Sequence, residues 1–215
     1  GAHRPDYIIN AAAYTAVDKA ESDAERAFAV NRDGARHLAE AAEAAGAAML
    51  HISTDYVVAG AGGAPYDEAV PTAPQNIYGA SKLAGEQAVL EACRRAVVMR
   101  TSWVFGAHGQ NFVKTMLRLG RERDSLGIVA DQYGAPTEAA DIAAALITIV
   151  RRHTPEQLAE RAGIYHYCGS PYASWFEFAE IIFAEAAAQG VLAKIPAVKP
   201  IATADYPTPA KRPAD

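Results

Sequence analysis

The sequence predicts an α/β protein built on a doubly wound parallel sheet, and three observations carry that prediction. The apolar runs at 7–13, 48–54 and 96–101 are continuous rather than alternating, which suits strands covered on both faces. A longer stretch of helical character follows each run. The first run ends in Ala11, Ala12 and Ala13, small residues that let a flat ligand approach the backbone. They stand at the carboxyl end of a strand, where open α/β sheets bind ligands.

The elements follow in order. Tyr7 to Ala13 reads as the first strand. Ser22-x-x-Glu25 is a capping box and predicts the start of a long helix, with Ala27, Phe28, Val30, Ala35, Leu38 and Ala42 on its apolar face and Gly46 at its end. The strand at 48–54 delivers Thr54. Residues 59–64, Ala-Gly-Ala-Gly-Gly-Ala, lack G-x-G-x-x-G spacing and lead into no helix, so they read as a loop beside substrate rather than a phosphate cradle. Pro71 and Pro74 fix the approach to Tyr78. The next helix runs to about Arg94, with Leu83, Ala84, Ala88, Val89 and Ala92 as its expected buried side.

Trp103 lies just past the strand at 96–101. A helix is expected from Asn111 and Phe112 through Leu119, then a short strand at 126–130. Asp131 to Thr137 is a loop of turn formers, and Thr137 reads as the N-cap of a helix over 138–152. Thr154-Pro155-Glu156 opens a short helix. Ile164 to Cys168 reads as a strand by its β-branched and aromatic content. Ser174-x-x-Glu177 is a second capping box, for a helix over 174–189, and 194–201 is the last candidate strand.

Composition excludes several function classes. The 215 residues are 51% apolar and 21% charged, ordinary for a globular protein. A net charge of −5 argues against broad nucleic-acid or anionic-membrane binding. No apolar run approaches the ~20 residues that span a bilayer, and no signal-peptide pattern opens the chain. Cys93 and Cys168 form no Cys-x-x-Cys pair, so reduced thiols and a cytoplasmic location are expected. His51 and His166 read as structural residues rather than metal ligands.

The candidate chemistry sits between Ser53 and Lys82. Tyr78 and Lys82 are one helical turn apart and project from one face. A tyrosine of pKa about 10 is a poor acid or base at neutral pH. A nearby ammonium favours the phenolate and is expected to lower that value. A hydroxyl from Thr54 could polarise the same substrate oxygen, so the three together form an acid/base site for a carbonyl or alcohol.

The order strand, Ser53-Thr54-Asp55-Tyr56-Val57, Gly-rich loop, Pro65-Tyr66-x-Glu68, Tyr78-Gly79-x-Ser81-Lys82-Leu83-Ala84-Gly85-Glu86 resembles the extended short-chain dehydrogenase/reductase family. Arg100-Thr101-Ser102-Trp103-Val104-Phe105 and Asp131-Gln132-Tyr133-Gly134-Ala135-Pro136-Thr137 place the resemblance in its dTDP-4-dehydrorhamnose reductase group, over nearly the whole chain. The resemblance implies a Rossmann-like fold, 1–103 with 138–168 forming the dinucleotide-binding part and 104–137 with 169–215 a smaller α+β substrate-binding part. It implies NADPH or NADH as cofactor and a dTDP-sugar as substrate. The reaction is reduction of the C4 ketone of dTDP-4-dehydrorhamnose, in deoxysugar-nucleotide biosynthesis.

By the same resemblance Thr54, Tyr78 and Lys82 are catalytic. Ala12, Ala13, Tyr14, Thr15, Asn31, Tyr78 and Lys82 bind cofactor, with Asn31 placed to position a water and the lysine. Thr54, Asp55, Tyr56, Trp103, Asn111, Phe112, Gln132, Pro136 and Thr137 bind substrate. A homodimer is also expected. Some relatives bind magnesium through interface glutamates, but Ala140 stands where one of them would be, so no metal is expected. A 4-epimerase or 4,6-dehydratase of the superfamily is an alternative; a dehydratase would carry an Asp-Glu pair after Thr54, where this chain has Asp55-Tyr56. A non-catalytic regulatory subunit like that of methionine adenosyltransferase is another.

No G-x-x-G-x-x-G precedes Tyr7. The resemblance therefore implies that the first βαβ unit, which holds the cofactor pyrophosphate at a helix N-terminus, is missing. These 215 residues alone are expected to bind NAD(P)H weakly and to lack reductase activity, with the edge of the first strand left unpaired.

Overall fold

The computed structural model describes residues 3–60 and 65–214. Most of the Gly-rich loop expected at 59–64 therefore lies outside the described residues. The chain begins with β1 (Tyr7–Asn10), α1 (Val17–Ala20), α2 (Ala24–Phe28), a π-helical stretch (Ala29–Gly34) and α3 (Ala35–Ala45). Next come β2 (Ala48–Thr54), a 3₁₀ turn (Asp55–Val57), α4 (Ile77–Ala92) and β3 (Ala96–Thr101). Then follow β4 (Val104–Phe105), α5 (Phe112–Glu122), β5 (Ser125–Val129), β6 (Tyr133–Gly134), β7 (Thr137–Glu138) and α6 (Ala139–Arg152). The chain closes with α7 (Pro155–Ala159), β8 (Gly163–His166), β9 (Ala173–Ser174), α8 (Trp175–Ala188) and β10 (Ala197–Ile201). The expected α/β class with a parallel central sheet is what the structure has.

The chain forms two compact units. The first comprises Gly1–Thr101, Ile142–Tyr167 and Thr208–Pro213. Its sheet has the order β1-β2-β3-β8, all parallel, with β1 and β8 at the edges. One face packs Met49 and Val98 against Ala35, Ala39, Ala42 and Val89 of α3 and α4. The other packs Leu50, Val97 and Met99 against Ile142, Leu146 and Leu158 of α6 and α7. The alternation along β2 and β3 thus serves two apolar layers, which is why the runs read as continuous.

Four local expectations are corrected. β1 stops at Asn10 rather than Ala13, because the Asn10 side chain accepts from the Ala12 N–H at 3.1 Å and turns the chain. The capping box at Ser22 and Glu25 does not form. α1 precedes it, and the Ser22 hydroxyl donates to the Lys19 carbonyl at 3.2 Å, leaving Asp23 as an N-cap without a side-chain bond. The expected long helix is interrupted by the π-helical stretch, and Val30 and Leu38 are exposed. On α4 the fully buried side is Gly79, Ser81, Lys82, Gly85, Glu86 and Val89, while Leu83, Ala84, Ala88 and Ala92 are only half-buried.

The second unit comprises Ser102–Asp141, Cys168–Pro207 and Ala214–Asp215. β5 pairs with β10 in parallel, β4 with β7 in parallel, and β6 with β9 antiparallel. Met116, Leu126, Ile128, Phe178, Ala179, Ile182 and Phe183 form its core. Asn111 caps α5 by accepting from the Lys114 N–H at 3.1 Å. The Ser174–Glu177 capping box forms as expected and starts α8. Thr137 is not an N-cap. It lies in β7, its hydroxyl donating to the Ala135 carbonyl and accepting from the Gly169 N–H, both at 3.0 Å.

Candidate active site

In the first unit, β2 carries Thr54 to its carboxyl end, and the N-cap of α4, Asn76, starts the helix two residues before Tyr78. Gly79 allows that start: a Cβ there would meet the Tyr56 carbonyl oxygen at 2.2 Å. The Tyr78 ring stands edge-on to Tyr56, with centroids 5.4 Å apart and planes at 77°. The Thr54 hydroxyl is near enough to the Tyr78 phenol to favour its ionised form. Thr54 in turn donates to Asp55 at 2.9 Å. Burial pushes Asp55 up to about 6, opposed by that hydrogen bond. Burial also pushes the Tyr56 phenol above its ordinary range.

Lys82 lies one turn along α4, only 2% exposed, and its Nζ donates to the Ile52 carbonyl at 2.6 Å. Burial pulls it down to about 8, against the Glu86 carboxylate, which raises it. The expectation that Lys82 would lower the tyrosine is corrected. Burial dominates and pushes Tyr78 up to about 12, with the Thr54 hydroxyl opposing. At neutral pH this tyrosine is therefore protonated rather than a phenolate.

Asn31 sits in the π-helical stretch, 1% exposed. Its amide accepts from the Tyr14 N–H at 2.8 Å and donates to the Tyr14 carbonyl at 3.1 Å and to Ser81 at 2.9 Å. The widened turn points this side chain inward, so it fixes the Ala11–Ala16 segment to α4. Ala12 and Thr15 are exposed in that segment, Ala13 and Tyr14 half-buried. His51 is wholly buried beside Asn10, its ring nitrogen 3.0 Å from the amide, and burial holds it neutral by pulling it down to about 3.

In the second unit, Trp103 stacks on Trp175 at 3.4 Å with planes 5° apart, and Phe112 tilts against the same indole at 4.5 Å. Trp103 has φ 46, a left-handed conformation that costs a bulky residue energy. Gly134 leaves room for its ring, since a Cβ there would meet Trp103 at 2.4 Å. Gln132 donates to Thr203 at 3.1 Å. Asn111 also donates to the Gly106 carbonyl at 2.8 Å. The polar atoms of Asn111, Gln132 and Thr137 thus already have work within the unit. Pro136 is half-buried, its carbonyl closely approached by Gly169.

The family model for the RmlD substrate binding domain matches residues 1–215. A dTDP-4-dehydrorhamnose reductase of Aggregatibacter actinomycetemcomitans is 50% identical over 212 residues, covering 99% of this chain and 72% of the relative. The chain belongs to the dTDP-4-dehydrorhamnose reductase family. The Escherichia coli K12 member is 45% identical over 213 residues, 98% of this chain and 70% of that one. A crystal structure of the Bacillus anthracis reductase in complex with NADP superposes with a TM-score of 0.88 at 42% identity, over 98% of this chain and 70% of that one.

Within the dTDP-4-dehydrorhamnose reductase family, then, this chain brings Thr54, Asp55, Tyr56 and Tyr78 together and sets Lys82 one turn behind. Sequence reasoning placed Trp175 in the core, where it packs, and assigned no role to Glu86 or Arg100. The spacing Tyr78, Lys82, Glu86, each four residues on, was the available signal for Glu86. No local pattern signals that Arg100 and Trp175 reach their partners. Among the described residues, no helix is long and apolar enough to cross a membrane.

Proposed function

We propose that this chain supplies the acid/base site for NAD(P)H-dependent reduction of the C4 ketone of dTDP-4-dehydrorhamnose to dTDP-rhamnose. The observation that carries this reading is Tyr78 placed beside Thr54 at the carboxyl end of β2, with the Lys82 ammonium one turn behind. The residues present fit the nicotinamide half of the cofactor. Ala12 and Ala13 offer backbone without a side chain beyond Cβ, and Ile52 takes one of the three N–H donors of Lys82. Ala12, Ala13, Tyr14, Thr15 and Lys82 would hold it, with Asn31 bracing the segment. When bound, the nicotinamide supplies hydride to C4.

The chain's own residues manage the proton. Tyr78 donates it to the ketone oxygen as negative charge develops there. Thr54 hydrogen-bonds the same oxygen and orients the phenol. Trp103, Phe112, Asp55, Tyr56, Asn111, Gln132, Pro136 and Thr137 are assigned to the nucleotide sugar in the same proposal. The dinucleotide part is assigned to the first unit and the substrate part to the second. A homodimer and a cytoplasmic location belong to this proposal too. The test is nicotinamide oxidation by the full-length protein with dTDP-4-keto-6-deoxy sugars. Oxidation at the no-substrate rate would remove the reading.

Two expected results follow from particular residues. Trp103→Ala should weaken nucleotide-sugar binding roughly tenfold, as loss of one base-stacking aromatic does, and cofactor binding less. Calorimetry with both ligands measures this, and the reverse order would move Trp103 into the cofactor site or the core. The pH dependence has a definite sign. Lys82 is drawn down to about 8, so its ammonium is present below that pH and lost above it. kcat/KM for the nicotinamide should therefore fall as pH rises through about 8, while Tyr78 stays protonated. A profile flat to pH 9.5, measured with stable protein, would contradict the role given to the ammonium.

A further inference from the structure

Between the sheet and α4 lies a layer that is buried yet charged. Met49 and Val98 face α4, so by the alternation of strand side chains His51 and Ser53 of β2 and Arg100 of β3 face it too. Lys82 and Glu86 meet them from the helix. Glu86 is 1% exposed and Arg100 4%. The guanidinium donates to both carboxylate oxygens, Nε at 2.9 Å and Nη2 at 2.7 Å. Such a pair is costly to bury and gives no stability advantage over apolar residues of similar size, so its presence beside Lys82 asks for another explanation.

We propose that Glu86, gripped by Arg100, is the counter-charge of Lys82: a positioning residue that keeps the lysine an ammonium at the pH where, on the reading above, it serves the reaction. The geometry supports it in three ways. Lys82 and Glu86 are one turn apart on the buried face of α4, where opposite charges are neighbours. The ammonium donates to a neutral carbonyl, that of Ile52, rather than to an anion. The fork of Arg100 fixes the carboxylate and stops it from swinging onto Lys82 as a simple ion pair, leaving the ammonium donors for substrate-side work.

The titratable and charged groups on the elements around Lys82 can be named. α4 presents Tyr78 and Glu86, β2 His51, β3 Arg100, β8 His166, the 3₁₀ turn Asp55 and Tyr56, and the segment before α4 Glu68, whose carboxylate accepts from the His166 N–H. His51 is held neutral by burial and by Lys82 itself. His166 Nδ1–H donates to the Tyr66 carbonyl at 3.0 Å. Arg100 Nη1, His51 Nε2 and Ser53 Oγ have no hydrogen-bond partner among the described residues. Glu68 also feels the Arg100 charge, but Glu86 is the carboxylate that Arg100 grips with two hydrogen bonds and that lies one turn from Lys82. Removing Glu86 takes that carboxylate from both cations; removing Arg100 leaves it to Lys82.

That asymmetry gives opposite expected shifts, which a purely structural pair would not produce. Full-length protein labelled at lysine Cε and Nζ is titrated by NMR without ligand, and the kcat/KM profile is recorded beside it. Glu86→Gln should move the Lys82 midpoint, and the alkaline limb, about one unit lower. Arg100→Gln should move both higher. The double variant should return to within about half a unit of wild type. Singles that shift in the same direction, or not at all, overturn the proposal. If the single variants fail to fold, the double variant decides: a midpoint displaced by a full unit from wild type overturns it. The ligand-free titration stands even if the dTDP-sugar assay shows no turnover, so the two failures are distinguishable.

Discussion

Tyr78→Phe is expected to fold normally and to lower kcat by ~10²–10⁴-fold, the usual contribution of a general acid. The packing argument and the chemical argument separate at this residue. The ring edge against Tyr56 is retained by phenylalanine, so the first turn of α4 keeps its contact. Thr54 keeps its bond to Asp55, so the removed hydroxyl leaves no orphaned partner. What disappears is the proton. With Tyr78 pushed up to about 12, that proton is held throughout the neutral range and is released only when a stronger base, the developing alkoxide, is placed beside it. Steady-state turnover of a dTDP-4-keto-6-deoxy sugar by the full-length variant, with circular dichroism as the folding control, measures the effect. Turnover near wild type would assign the proton to another group.

Gly85→Ala is expected to destabilise the first unit despite placing a better helix former in mid-helix. Alanine gains about 1 kcal/mol over glycine in a helix interior. Here its Cβ would stand 2.1 Å from the Asn31 carbonyl oxygen, far inside van der Waals contact, and the obstacle is main chain rather than a movable side chain. Overpacking of this kind costs ~1–3 kcal/mol, or more when a backbone must move. The π-helical stretch would have to retreat from α4, and Asn31 would lose its grip on Tyr14 and Ser81. The expected net loss is ~1–2 kcal/mol, or a fall in Tm of about 2–8 °C for a chain of this size. A melting temperature at or above wild type would show that α4 and the π turn are not in contact as described. Because Asn31 holds the Ala11–Ala16 segment, cofactor affinity should fall with stability.

The residues of the candidate site differed in how plainly they could be read. Thr54, Tyr78 and Lys82 were legible because a strand end and a one-turn spacing are local facts. The buried side of α4 was misread for the opposite reason. Leu83, Ala84, Ala88 and Ala92 form the apolar stripe a periodicity argument selects, but the buried stripe is Lys82, Glu86 and their small neighbours. A charge is buried only where a partner meets it, and the partner of Glu86 lies on another strand. Asn31 looked unhelpful to a helix, and it is; the helix yields, widening to a π turn so that the amide can bridge Tyr14 and Ser81. Thr137 carries every local mark of an N-cap, yet Ala135 and Gly169 claim its hydroxyl first.

By itself the sequence determined the parallel α/β class, the strands β2 and β3 to the residue, the Ser174 and Thr154 caps, and the turn-spaced tyrosine and lysine. These rest on hydrophobic period and hydrogen bonds that close within a few residues. Only the tertiary structure decided which face of α4 is buried, where the long helix breaks, and that Trp103 stacks on Trp175 in a left-handed conformation. It also decided the direction of the Tyr78 shift, because desolvation depends on everything packed around the ring while the spacing to Lys82 supplies a single charge. Each of these outcomes is fixed by contacts between residues distant in the chain, whose energies no local pattern contains.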